Sequence, residues 1–250
     1  QKDLCILILA AGKGTRMKSD LPKVMSLIGG RPLIHYVLDA TLGAGIEDVI
    51  VVYGYMGELV VTSLAGRPVR MVEQKEQLGT GHAVRMAVSL LVGEQGPVLV
   101  LAGDIPLVRA DTMRRLLDHH RRVDATVTIL TTDMPDPAGY GRIVRDATGG
   151  VMAIVEDRDA TPEQKSVREI NSSIYTFERA FLLSALERIR AENAQGEYYL
   201  TDTVQLAVRE GRRVEAIKVT DPREVSGVNT VEQLRELEAD ARGEPVLAGA

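Results

Sequence analysis

Short, unbroken apolar runs alternate with helix-period segments through the first 123 residues. Residues 4–9, 49–53 and 98–101 are apolar at consecutive positions, and 69–72 is apolar but for Arg70. Such runs suit strands buried on both faces, as in a mainly parallel sheet covered by helices. Between them, residues 33–42, 56–64 and 81–91 carry apolar side chains three and four apart and predict the covering helices. The texture changes after Asp124. Residues 126–130, 142–145 and 151–155 read as short strands, the last two joined like a hairpin across Ala147-Thr148-Gly149-Gly150. A strand at 171–177, helices at 178–189 and 201–209, a strand at 214–219 and a helix from 230 to about 241 follow. The pattern predicts an α/β fold, Rossmann-like, with a mixed, mostly parallel sheet flanked by helices and a small β-rich insertion. One domain is expected over 1–241, with a first half of about 1–123 and a second part of about 124–229; residues 242–250 read as a tail.

Composition narrows the class. The chain has 250 residues, 45% apolar and 26% charged, which excludes disorder and fibre and suffices for a full core. Thirty basic against 35 acidic residues leave a net charge of −5 without long blocks of either sign. No electrostatic footprint for nucleic acid or anionic lipid is present. The longest apolar runs, 4–11 and 97–102, fall far short of the ~20 residues that span a bilayer. The start, Gln1-Lys2-Asp3, leads directly into an apolar run without the order of a signal peptide. A single cysteine, Cys5, makes neither an internal disulfide nor a thiolate metal site, which fits a reducing cytoplasm. The oligomeric state is not legible.

The candidate chemistry begins where the first strand runs into Ala10-Ala11-Gly12-Lys13-Gly14-Thr15-Arg16-Met17, followed by Leu21-Pro22-Lys23. Glycines let the backbone approach a ligand, and consecutive amides in such a turn form a nest for anionic oxygens. Arg16 and Lys23 add cations at the rim. The spacing is neither a Walker A loop nor the three-glycine dinucleotide fingerprint, and alone it also fits a plain strand-to-helix turn. The fourth strand ends in Ala102-Gly103-Asp104, so Asp104 and the glycine loop both lie beyond strand carboxyl ends and should share a crevice. A carboxylate beside a phosphate loop suits Mg²⁺, although Asp104 also fits an N-cap for the following helix. A second cluster, Gln77-Leu78-Gly79-Thr80-Gly81-His82, opens a helix, and Gln74 could meet a base edge or be a solvated loop residue. His82, like His35, His119 and His120, reads as structural. No serine elbow or Cys/His pair supports covalent catalysis.

The loop with Leu21-Pro22-Lys23 resembles the signature of the nucleotide-sugar pyrophosphorylases. Glu76 to Ala83, Gly139 to Ile143, Ile154 to Glu156, Glu169 to Asn171, Gln195 to Asp202 and Gly227 to Asn229 resemble, within that family, the uridyltransferase domains of bacterial bifunctional N-acetylglucosamine-1-phosphate uridyltransferases. The resemblance covers about residues 4–238 and implies the nucleotide-diphospho-sugar transferase fold. It implies transfer of uridylyl from UTP to N-acetylglucosamine 1-phosphate with release of pyrophosphate. Leu9, Ala10, Ala11, Gly12 and Gly14 would cradle the nucleotide, with Arg16 and Lys23 as the catalytic cations on its phosphates. Gln74, Gly79 and Thr80 would read the uracil. Gly141, Glu156 and Asn171 would contact the amino sugar, Tyr199 and Thr201 its phosphate, and Asp104 and Asn229 would hold Mg²⁺.

The sequence departs from that pattern at Ala102, where the best-known members have tyrosine, and at Asn171-Ser172-Ser173, where they read Asn-Thr-Gly. Only 250 − 229 = 21 residues follow Asn229 and they hold no hexapeptide repeat, so no acetyltransferase β-helix is expected here. No nucleophilic side chain is required, because the sugar phosphate supplies the attacking oxygen and the site has only to position two polyanions and stabilise charge. Two other functions fit the same residues: another sugar-1-phosphate nucleotidyltransferase, using glucose 1-phosphate with UTP or dTTP, and a non-catalytic nucleotide-sugar-binding regulatory module.

Overall fold

In the computed structural model, which describes residues 4–14, 17 and 20–242, every apolar run of the first half forms a strand of one sheet, three of them central and the fourth at its edge. Strand β1 (Cys5–Ala10) pairs parallel on one side with β4 (Asp48–Tyr53) and on the other with β6 (Val98–Ala102). The short pair β2 (Leu27–Ile28) and β3 (Arg31–Pro32) forms a separate ribbon, and β5 (Arg70–Glu73) adds a parallel edge to β4. Beyond β6 lie β10 (Glu169–Phe177), β7 (Val127–Asp133) and β11 (Val214–Val219), giving the order β11-β7-β10-β6-β1-β4-β5. Strand β10 is antiparallel to both its main neighbours, which makes the sheet mixed and mostly parallel, as the sequence predicts. The insertion is the hairpin of β8 (Arg142–Arg145) and β9 (Val151–Val155), joined to β10 at Ile170 and Arg142.

The unbroken hydrophobicity of the strands has a direct packing reason. Alternate side chains of a strand point to opposite faces, and here both faces are covered. Cys5, Leu7, Ile50, Val52, Val98 and Val100 pack on one face against α3 (Thr80–Met86), α4 (Val88–Leu91), α7 (Arg179–Arg188) and α8 (Asp202–Arg209). Ile6, Ile8, Val49, Val51, Leu99 and Leu101 pack on the other against α1 (Leu33–Gly43), α2 (Gly57–Ser63) and α5 (Ala110–Arg122). The helix predicted over 81–91 is two helices that break at Ala87. The helix after Asp104 starts at Ala110 with Arg109 as its N-cap, so Asp104 is not a cap. Short turns of helix at α6 (Pro162–Lys165), Lys23–Met25 and Pro222–Val225 lack a periodic signal because each is a single turn.

The last helix, α9 (Val231–Arg242), returns to the start of the chain, where Leu234 and Leu237 pack against a small cluster of Met17, Ile28, Leu33 and Val228. That contact brings residue 229 back to the carboxyl ends of β1 and β6. Among the described residues no helix is long and apolar enough to cross a membrane. Arg16 and the tail beyond residue 242 lie outside the described residues.

Candidate functional site

A cavity of about 500 Å³ opens at the carboxyl ends of β1, β5 and β6, where open α/β sheets bind ligands. Its floor is Leu9 to Gly14, followed by Gln74, Gly79, Thr80, Asp104, Glu156, Thr201 and Asn229 around the wall. Thirteen of the sequence-selected positions thus meet in one place, Lys23 among them, and they come from nearly every quarter of the chain.

The loop after β1 is set by its neighbours. The Gly103 amide donates to the Leu9 carbonyl (2.8 Å) and the Tyr55 amide to that of Ala11 (3.1 Å). Gly14 has φ +68°, and a Cβ there would stand 2.6 Å from the Lys23 Cβ, so the loop and Lys23 touch only because the residue is glycine. A Cβ on Gly12 would meet nothing within 4 Å: its side faces open space, as a backbone surface for an anion requires.

Lys23 reads in the sequence as a loop residue, yet its side chain is only 18% exposed. Its Nζ is ion-paired with Asp104 Oδ2 and donates to Asn229 Oδ1 (2.7 Å), 206 residues away. The Val228 amide donates to the Asp104 carbonyl (3.0 Å), and a Cβ on Gly227 would crowd Asp104 Oδ2 at 3.0 Å. The segment before α9 is therefore stitched onto the residue after β6. An ammonium held between a carboxylate oxygen and an amide oxygen shows that the pair already hosts a cation, and hard oxygen donors of this kind fit Mg²⁺.

The Gln74 end of the cavity is ordered by a side-chain network. Gln74, which alone could be a solvated loop residue, is 3% exposed. Its Nε2 donates to the Gly79 carbonyl (3.1 Å) and to His82 Nδ1 (2.9 Å). A flip would set Oε1 against the Gly79 carbonyl, acceptor against acceptor, so Nε2 stays there and Oε1 is the atom left for a ligand. His82 is thus structural in a specific sense: it orients Gln74. Thr80 begins α3, whose first amides have no partner within the helix.

Gly79 has φ +105° and ψ 174°, a region reserved for glycine, and a Cβ there would lie 2.6 Å from the Tyr198 carbonyl oxygen. Gly79→Ala is expected to destabilise the protein by ~1–3 kcal/mol from backbone strain, before the clash is added. Because the damage falls on the turn that carries Thr80 and anchors Gln74, binding of a ligand at this end of the cavity should weaken while the Glu156 end is spared. A melting curve superimposable on the wild type would contradict this account.

The far end of the cavity is acidic. Thr201 Oγ1 donates to Glu156 Oε1 (3.0 Å). Glu156 titrates above the ordinary carboxylate range, first because burial disfavours its charge and then because Asp202, Asp159 and Glu197 repel it. A raised folded-state value means that ionised Glu156 destabilises the fold above that value and is harmless in acid, where the carboxyl is protonated in both states. Glu156→Gln should therefore raise Tm at neutral pH, and the gain should vanish as the pH falls below the usual glutamate range. If Glu156 accepts hydrogen bonds from substrate, the same variant loses affinity; a Tm gain that grew in acid would refute the sign.

Three of the selected residues are not on the cavity wall. Asn171 Nδ2 donates to the Tyr175 hydroxyl (2.6 Å) and its Oδ1 accepts from the Ser173 amide (3.1 Å). Tyr199 donates to Asp159 Oδ2 (3.1 Å) and accepts from Gln195 (2.8 Å). Gly141 lies behind Glu156, where a Cβ would be 3.5 Å from Oε2 and 3.5 Å from the Asn171 Cβ. The wall contains instead Ala102, Ser173, Tyr175 and Glu197, which the sequence reading did not select as contacts. Tyr175 was hidden inside an apolar strand pattern, whereas Ala102 and Ser173 stood at the two departures from the family pattern. The remaining histidines are structural: His35 bonds Ser63 (2.7 Å), and burial lowers His120 to about 4 as its ring meets Thr128 (2.9 Å).

A model of the MobA-like NTP transferase domain matches residues 6–248. The chain is 50% identical over 236 residues to the "Bifunctional protein GlmU" of Pelotomaculum thermopropionicum, covering 94% of this chain and 51% of that protein. It is 48% identical over 241 residues to the protein of the same name from Geobacter metallireducens, covering 96% and 51%. The chain spans about half the length of the curated relatives it matches. A solved Bacillus anthracis structure, titled a putative glucose-1-phosphate thymidylyltransferase, superposes with a TM-score of 0.75 at 19% identity, covering 99% of this chain and 98% of that one, a likeness of fold.

Proposed function

This chain belongs to the MobA-like NTP transferase domain family, and from that premise we propose that it transfers uridylyl from UTP to N-acetylglucosamine 1-phosphate, releasing pyrophosphate. The observation that carries the reading is the meeting of Lys23, Asp104 and Asn229 beside the open glycine loop, midway between the Gln74 end and the Glu156 end of one cavity. The first half of the chain then serves the nucleotide and the part from about residue 124 serves the sugar.

A sugar-phosphate oxygen forms a bond to the α-phosphorus of UTP as the bond to the pyrophosphate oxygen breaks. The protein's task is to hold both reactants in line, which can supply ~7–11 kcal/mol, and to meet the charge of the leaving group. The amides of the Ala10 to Gly14 loop and the Lys23 ammonium face that charge, with Arg16 assigned to the same rim by sequence. Asp104 and Asn229 would hold Mg²⁺, which supplies further neutralisation of phosphate charge. Glu156 and Thr201 would bond the sugar and its phosphate, with Gly141, Asn171 and Tyr199 supporting that end. The lone, buried Cys5 fits a reducing compartment, so we place the reaction in the cytoplasm.

Gln74 supports uracil in particular. With Nε2 held by Gly79 and His82, Oε1 offers an acceptor, which pairs with the N3–H of uracil and opposes the N3 lone pair of cytosine. UTP should exceed CTP by about tenfold or more in kcat/KM, since a mismatched buried polar group costs ~1–3 kcal/mol. His82→Ala releases the amide to flip and should shrink that ratio without abolishing turnover. The decisive experiment is pyrophosphate release with UTP, CTP and dTTP against N-acetylglucosamine 1-phosphate and glucose 1-phosphate, with and without Mg²⁺. Release from none of these pairs overturns the transferase reading. Faster turnover of glucose 1-phosphate with dTTP would replace the substrates but keep the chemistry.

A further inference from the structure

The two departures from the family pattern, at Ala102 and Ser173, lie on adjoining strands. Strand β10 pairs antiparallel with β6 as far as Ile174 opposite Leu101, and Ser173 and Ala102 each stand one residue beyond that last pair. Both residues line the cavity. Ser173 has φ +61°, a left-handed conformation uncommon for a residue with a side chain. Its origin is an irregularity in β10: Asn171 pairs with Thr131 and Tyr175 with Ile129, so four steps on one strand match two on the other. Such a bulge breaks the ladder locally and re-aims a side chain. The Ser173 amide donates to Asn171 Oδ1 (3.1 Å), and the Asn171 Nδ2 donates in turn to the buried Tyr175 phenol (2.6 Å). Strained residues held by their surroundings concentrate at ligand sites. Ala102 keeps its part of the same wall small, and Glu156, on that wall too, acts by its charge on Tyr175.

Building on the transferase reading above, we propose that Ser173 is a sugar-recognising residue, whose hydroxyl, in the space left by the Ala102 methyl, hydrogen-bonds a hydroxyl or acetamido group of the sugar 1-phosphate. Asn171 then acts behind it as a positioning residue, fixing the bulge and the Tyr175 phenol rather than touching the sugar.

The test compares wild type, Ser173→Gly and Ser173→Ala. Glycine relieves the left-handed backbone while removing the hydroxyl, so Tm should hold or rise while kcat/KM for the sugar phosphate falls roughly three- to tenfold, the scale of one hydrogen bond. Alanine removes the hydroxyl but keeps the strain, so it should show the same loss without a gain in Tm. KM for UTP should be unchanged in both. A purely structural serine predicts a changed Tm with an unchanged sugar-phosphate KM, and both variants within about twofold of wild type would overturn the proposal. Calorimetric Kd values for N-acetylglucosamine 1-phosphate on the same three proteins read Ser173 independently of turnover. Equal Kd values overturn its role, whereas a wild type that binds but never releases pyrophosphate overturns the transferase reading instead.

Discussion

Asp104→Asn is expected to lower kcat by ~10²–10³, the usual effect of removing one preorganised electrostatic group from a reacting centre. The substitution keeps size and shape but removes the negative charge from the cluster that Lys23 and Asn229 share. It also leaves the Lys23 ammonium, at 18% exposure, with an amide oxygen as its remaining described partner, so stability should fall by ~1–2 kcal/mol. For a chain of this size that is a few degrees of Tm, about 2–4 °C per kcal/mol. Steady-state turnover against Mg²⁺ concentration checks the first part and a thermal melt the second. Turnover within about threefold of wild type at ordinary Mg²⁺ would remove Asp104 from the metal role.

Lys23→Met should lower kcat on a similar scale while doing the opposite to metal binding. The ammonium sits between the two oxygens proposed for the metal, so a cation entering there must displace it. Removing the ammonium frees Asp104 for a divalent ion, and Mn²⁺, titrated without substrates and read by its own magnetic signal, should bind more tightly to the variant. On the proposed role of Lys23, turnover falls nonetheless, because the positive charge proposed to meet the leaving phosphates is gone. The pair Asp104→Asn and Lys23→Met should be non-additive in stability by ~0.5–3 kcal/mol, as contacting charges are. Weaker Mn²⁺ binding in Lys23→Met would show that the lysine helps to build the metal site rather than standing in it.

Much of this architecture is legible locally. Strands at 142–145, 151–155 and 214–219 fall where alternation and turn residues place them, and the buried strands of the first half announce themselves by unbroken apolar runs. The signals fail where structure is short or depends on a distant partner. Lys23–Met25 is a single 3₁₀ turn with no period to detect, and the break of the 81–91 segment at Ala87 follows packing rather than any glycine or proline. The bulge at Ser173 cannot be read from a run of polar and apolar letters, because an extra residue is defined only against the strand it faces.

By itself the sequence determined the alternation of strands and helices, the two-faced burial of the central strands and the glycine turns beyond their carboxyl ends, since each depends on side-chain period and on conformations open only to glycine. It also selected most of the residues now lining the cavity, through motifs whose spacing is local. Only the tertiary structure decided how they are used. It set Lys23 between Asp104 and Asn229, the latter 206 residues from it in sequence, oriented Gln74 through His82, turned Asn171 inward and brought Ala102 and Ser173 to one cavity wall. Those are properties of strand order, register and hydrogen-bond partners, and they arise when the chain closes on itself; no window of neighbouring residues contains them.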